Sequence, residues 1–169
     1  MRLFLIGLVG LILLPAAGCK PEPDYGPVVE RYYAQFQKPG FDVDALMKFY
    51  ADDVAFSDPT FEIVANGKAE VRKLYADIGT DETSYRNIVW TLKTVVSDDD
   101  TVVISGVWSG DFAQCPFSVE FMTFWRMAGG LIAEQKDFFA ASAFDRQVRW
   151  DETAGRPACD GAVPPPESE

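Results

Sequence analysis

The chain has 169 residues, of which 48% are hydrophobic and 24% charged, the composition of a globular protein with one domain's worth of core. Fifteen Lys+Arg against 26 Asp+Glu give a formal net charge of -11, which repels nucleic-acid phosphates and anionic headgroups, so no nucleic-acid partner is expected. With no histidine and only three cysteines, Ser-His-Asp chemistry and the usual zinc ligand sets are out of reach, and neither a metal nor a cofactor is expected.

In chain order, Met1-Arg2 and the apolar residues 3–14 precede Pro15-Ala16-Ala17-Gly18-Cys19. A basic start, a short apolar run and small residues predict a secretory signal too short to span a bilayer. Its end resembles the lipobox of bacterial lipoproteins, although Ala16 stands where that motif usually has leucine. The resemblance implies a signal peptide over residues 1–18, diacylglycerol on the Cys19 thiol and contact with the membrane through that lipid alone. Lys20 in place of a retention aspartate implies an outer-membrane anchor facing the periplasm. Residues 19–26 read as a tether, residues 27–150 as the domain and residues 151–169 as a flexible tail. Cys115 and Cys159, the remaining pair in an oxidising compartment, favour a disulfide that pins this tail, with two free thiols as the alternative.

Pro27 opens an apolar-periodic stretch, Val28-Val29-Glu30-Arg31-Tyr32-Tyr33-Ala34-Gln35-Phe36, closed by Pro39-Gly40; this is helix punctuation. Asp42 caps a second predicted helix reaching about Ala51. A strand over residues 54–59 ends in the Asp58-Pro59 turn, Phe61-Glu62-Ile63-Val64 continues it, and a third helix covers residues 68–77. The period then changes from helical to alternating. Strands are predicted over residues 84–96, 101–110, 117–127 and 131–140, with turns at Asp98-Asp99-Asp100 and Gly129-Gly130. Phe117, Val119, Phe121, Thr123 and Trp125 share one face. On the last strand Ala133, Gln135, Asp137 and Phe139 share another. Three helices followed by a curled antiparallel sheet make an α+β fold.

Tyr50-Ala51-Asp52-Asp53-Val54-Ala55-Phe56-Ser57-Asp58-Pro59, the helix opened by Gly67-Lys68, and Asp137-Phe138-Phe139-Ala140 through Gln147 resemble the SnoaL-like, nuclear transport factor 2-like superfamily. The resemblance covers residues 28–148. It implies a cone-shaped α+β barrel, in which a bent antiparallel sheet and three helices enclose a pocket, and it leaves function open. In the ketosteroid isomerase branch it implies Asp58 as general base and Tyr32 as oxyanion donor. Thr123 stands three residues before Arg126, where that branch has a protonated aspartate. Asp137 matches the last-strand acid of the epoxide hydrolases and SnoaL-type cyclases. The strand 102–108 lacks the Arg/Asp couple of the hydrolases. Members often pair through the outer sheet face, which implies a possible homodimer.

On the residues themselves, Asp137 facing the cone among aromatic rings is a carboxylate whose pKa burial raises, a plausible acid/base. Asp58 before proline is equally a turn cap. Tyr33, Trp90, Ile104, Trp108, Phe121, Thr123, Trp125 and Phe139 are the expected pocket wall, suited to a small, largely apolar molecule. The alternatives are a cofactor-free isomerase or cyclase using Asp58 or Asp137 with Tyr32, and a dimeric interaction module whose cone is filled by its own rings.

Overall fold

The computed structural model describes residues 23–38, 40–80, 84–151 and 156–159. The leader, Cys19 and the start of the tether lie outside the described residues, as does the chain beyond 159.

Helix α1 (Gly26–Tyr33) starts where Pro27 needs no amide partner, and Asp24 Oδ1 accepts the Gly26 N–H at 3.0 Å. It buries Val29, Tyr32 and Tyr33. The chain then turns earlier than predicted, yet still buries Phe36. Helix α2 (Val43–Leu46) is capped as expected, with Asp42 Oδ1 accepting from the amides of Asp44 at 2.9 Å and Ala45 at 3.1 Å. It does not run on to Ala51. A single 3₁₀ turn, Met47–Phe49, leads into strand β1 (Tyr50–Asp58). Tyr50, Val54, Phe56 and Asp58 are buried along it, so pairing with the sheet overrides the local helical pattern.

After β1 come β2 (Ile63–Asn66), α3 (Lys68–Tyr75), β3 (Tyr85–Asp98), β4 (Thr101–Phe112), β5 (Cys115–Ala128) and β6 (Leu131–Phe139). The six strands form one curved, unclosed sheet in the order β2-β1-β6-β5-β4-β3. The sheet is mixed rather than wholly antiparallel, because β1 and β6 pair in parallel. No hairpin joins those two strands: the whole excursion through α3 and β3–β5 lies between them, which frees their relative direction. Strand β5 alternates as predicted, with Phe117, Val119, Phe121, Thr123 and Trp125 buried. On β6 a register shift opposite Arg126/Met127 turns Ile132 inward instead of Ala133, and restores the predicted parity at Gln135 and Asp137.

Helix α4 (Ala141–Gln147) follows β6 and packs against β5, burying Phe144 and Gln147. It is stitched to β5 by Gln147, whose Oε1 accepts from the Ser118 amide at 2.6 Å while its Nε2 donates to the Ser118 carbonyl at 2.9 Å. Beyond it, β7 (Arg149–Asp151) and β8 (Arg156–Ala158) pair antiparallel. Composition read this stretch as mostly tail. Cys115 and Cys159 are joined in a disulfide with Cα atoms 5.0 Å apart and 44 residues between them in sequence. The expected bond is therefore present. No helix among the described residues is long and apolar enough to cross a membrane.

Candidate ligand-binding site

The concave face of the sheet and helices α1 and α3 enclose a cavity of about 130 Å³. Each element contributes for a local reason. Strand alternation turns Trp108, Thr123, Gln135, Asp137 and Phe139 inward from β4, β5 and β6, while Tyr85, Ile88 and Trp90 come from β3. Helical spacing brings Tyr32, Tyr33 and Phe36 from the α1 segment and Leu74, Tyr75 and Ile78 from the α3 segment. Asp58 enters at the end of β1, with Phe61 from the turn that follows it. Leu74 is both part of the wall and exposed, so the cavity meets solvent beside it.

Asp137 is the chemical centre. The β5–β6 ladder sets it opposite Thr123, and the Thr123 hydroxyl donates to its Oδ1 at 2.7 Å. Gln135, two residues back on the same face, donates from Nε2 to its Oδ2 at 2.8 Å. Both partners are neutral. Burial therefore dominates and pushes the carboxyl up to about 7; the Thr123 and Gln135 hydrogen bonds oppose the shift and the nearby Asp58 charge adds to it.

Gln135 links this acid to a buried tyrosine cluster. The Tyr50 hydroxyl donates to Gln135 Oε1 at 2.8 Å. Its only proton is thereby used, so its oxygen accepts from Tyr32, 2.6 Å away. Tyr75 lies 3.4 Å from the Tyr32 hydroxyl. Burial holds the phenols of Tyr32, Tyr33, Tyr50 and Tyr75 above their ordinary value, so they act as neutral hydroxyls. Asp58 behaves as the turn cap it resembles: its Oδ1 accepts from the amides of Thr60 at 2.9 Å and Phe61 at 3.2 Å. Its pKa is nonetheless raised, by burial first and against those same bonds.

Of the three residues expected to carry chemistry, Asp58 and Asp137 both line the cavity, and so does Tyr32. Tyr32 does not bond Asp137 directly; it reaches that acid through Gln135, whose Oε1 it meets by way of Tyr50 and at 3.5 Å itself. Of the expected wall, Tyr33, Trp90, Trp108, Thr123 and Phe139 are in place. Ile104, Phe121 and Trp125 are not. They face the correct side but lie a layer deeper, all three buried. The Trp125 ring is covered by Tyr32 at 4.8 Å between centroids, and Phe121 by Trp90 at 4.7 Å. Strand parity gives the face of a sheet, whereas what packs over it, α1 at Trp125 and a β3 side chain at Phe121, decides which residues on that face meet open space. Gln135 and Tyr75 went unrecognised as site residues; the signal for Gln135 was present, since it shares the parity of Asp137.

A family model described as the SnoaL-like domain matches residues 29–135. The chain belongs to that family. None of the curated proteins matches it. Among solved structures, the SnoaL-like domain is similar to a protein of ketosteroid isomerase-like fold from Catenulispora acidiphila, crystallised in complex with trimethylamine. That pair is 23% identical with a TM-score of 0.62, covering 70% of this chain and 88% of the other. It is also similar to an NTF2-like protein from Burkholderia thailandensis (20% identity, TM-score 0.57, 70% and 92% covered). TerC, co-crystallised with polyporic acid, is a third (19% identity, TM-score 0.59, 70% and 92% covered). At these identities the likeness establishes the fold of the SnoaL-like domain alone.

Proposed function

We propose that this chain is an envelope lipoprotein whose SnoaL-like domain binds a small, largely apolar molecule, oriented by Asp137. The cavity carries the reading: about 130 Å³ of space walled by aromatic rings, with a buried carboxyl group on its lining. An apolar protein cavity of about 150 Å³ takes up benzene, so the ligand has about that bulk, well short of a steroid. Two relatives of the same fold crystallised with small organic molecules, trimethylamine and polyporic acid, support the reading. Anchoring rests on the leader and Cys19 of the sequence. Palmitate labelling of cells, lost in Cys19→Ser, tests it.

Binding is tested by thermal melts of the mature protein against a panel of benzene-sized aromatics, aliphatic alcohols and amines. A ligand at roughly a hundred times its Kd stabilises by about 2.7 kcal/mol, and at least one class should raise the melting temperature by several degrees. A panel that shifts nothing contradicts the reading.

A second reading, cofactor-free proton transfer, is favoured by the titration of Asp137 at about 7, where a general acid–base group is most effective. Asp58 is a poorer base because turn amides hold it, and Tyr32 a poorer donor because its hydroxyl already donates to Tyr50. Turnover of a cavity-sized carbonyl compound with a rate limb at that pH, abolished in Asp137→Asn, is the expected sign of catalysis. Its absence leaves binding alone.

A further inference from the structure

The polar content of the cavity is one-sided. Two carboxylic acids, Asp58 and Asp137, line it, and no lysine or arginine is among the described lining residues. The groups facing Asp137 are Thr123 from β5, Gln135 from its own strand, Asp58 from β1, Tyr32 and Tyr33 from α1, and Tyr75 from α3. None can carry a positive charge. The ionised carboxylate thus has hydrogen bonds but no counter-ion.

That decides among ligand charges. An anion would meet two acids and no compensating charge. A neutral molecule closing over the cavity would strip water from the carboxylate and draw it to its protonated form, so it gains nothing from the charge. A cation supplies what is missing. The walls suit the apolar body of such a cation as well as its charge. Trp90 and Trp108 stack 5.6 Å apart, Phe139 packs on Trp108 at 4.9 Å and Tyr33 on Trp90 at 5.1 Å. These packed rings all line the cavity, and where a ring face meets the open space it attracts a substituted ammonium group, tryptophan most strongly. The net charge of -11 draws cations toward the protein from a distance.

We propose that the ligand of this cavity is a small organic cation of the substituted-ammonium class, with Asp137 as its counter-ion and Tyr33, Trp90, Trp108 and Phe139 as its aromatic wall. The proposal rests on the cavity being a ligand site and adds the charge type of the ligand.

Choline and its neutral carbon isostere, in which a quaternary carbon replaces the nitrogen, have the same shape and differ only in charge. Calorimetric titration of the mature protein at about pH 8, above the titration of Asp137, should give at least about tenfold tighter binding of choline. Choline keeps its charge at every pH, so the preference should collapse as Asp137 takes up its proton below about 7. Asp137→Asn should abolish the preference, whatever it does to the affinity of each probe taken alone. Should that variant fail to fold, the pH series on the natural chain reads the same quantity. Equal binding of the two at high pH, or tighter binding of the carboxylate analogue of the same shape, overturns the cation assignment while leaving small-molecule binding intact. Failure of both probes at every pH, together with a silent melt panel, removes the ligand site itself.

Discussion

Asp137 shows how the molecule gives up stability to keep an acid inside. Unfolded aspartate releases its proton near 3.9, whereas in the fold the group holds it to about 7. Between those values the folded chain binds more protons than the unfolded one, so stability falls as pH rises through that window, by up to about 4 kcal/mol. Asp137→Asn removes this dependence. It should be more stable than the natural chain at about pH 8 and lose that advantage toward pH 4, which urea melts at the two ends will show. Thr123→Val keeps the shape and deletes the hydroxyl that donates to Oδ1. Since that bond favours the ionised form, its loss should move the Asp137 midpoint up by about one unit, read from its carboxyl carbon resonance. The candidate acid was legible because strand alternation puts residue 137 on the inward face. The direction of its shift follows from that burial as well; its hydrogen-bond partners were not legible, because one comes from another strand and the other is a glutamine, a residue type that announces nothing in sequence.

The strands illustrate which parts of the architecture could be read in advance. Alternation over β5 and the Gly129-Gly130 turn produced the hairpin as expected, because each depends on residues close in sequence. The short α2 and the parallel pairing of β1 with β6 depend on partners a long way off, and local periodicity does not see them; the shift at Ile132 lies within the hairpin itself, where a bulge breaks the strict alternation that periodicity assumes. Gly106 is a case of the same kind. A Cβ there would run into the Thr91 carbonyl oxygen and lie 3.0 Å from the Phe121 ring, next to the place where the β3–β4 register slips between Leu92 and Thr94. Gly106→Ala should destabilise by about 1–3 kcal/mol by forcing the two strands apart, seen as a melting temperature lower by a few degrees per kcal/mol. The same change in the open Gly129-Gly130 turn meets no atom within 4 Å, although both glycines there have positive φ.

Taken together, the fold is a curved sheet whose strand β5 is held by α4 and by one covalent bond. The Cys115–Cys159 disulfide closes a loop of 44 residues, which by chain entropy stabilises by about 4 kcal/mol. Reduction, or Cys159→Ser, should lower the melting point by roughly 10 °C and leave ligand affinity unchanged, because neither cysteine lines the cavity. What unites the cone, the acid and the aromatic wall is that Asp137 is buried yet still answers to whatever enters. The carboxyl carbon of Asp137, followed by nuclear magnetic resonance from acid to alkaline pH with and without saturating choline, reads this directly. The expected result is a midpoint of about 7 in the free protein, lowered by at least about one unit when the cation is bound. A midpoint near that of an ordinary aspartate, or one that choline leaves unmoved, contradicts it.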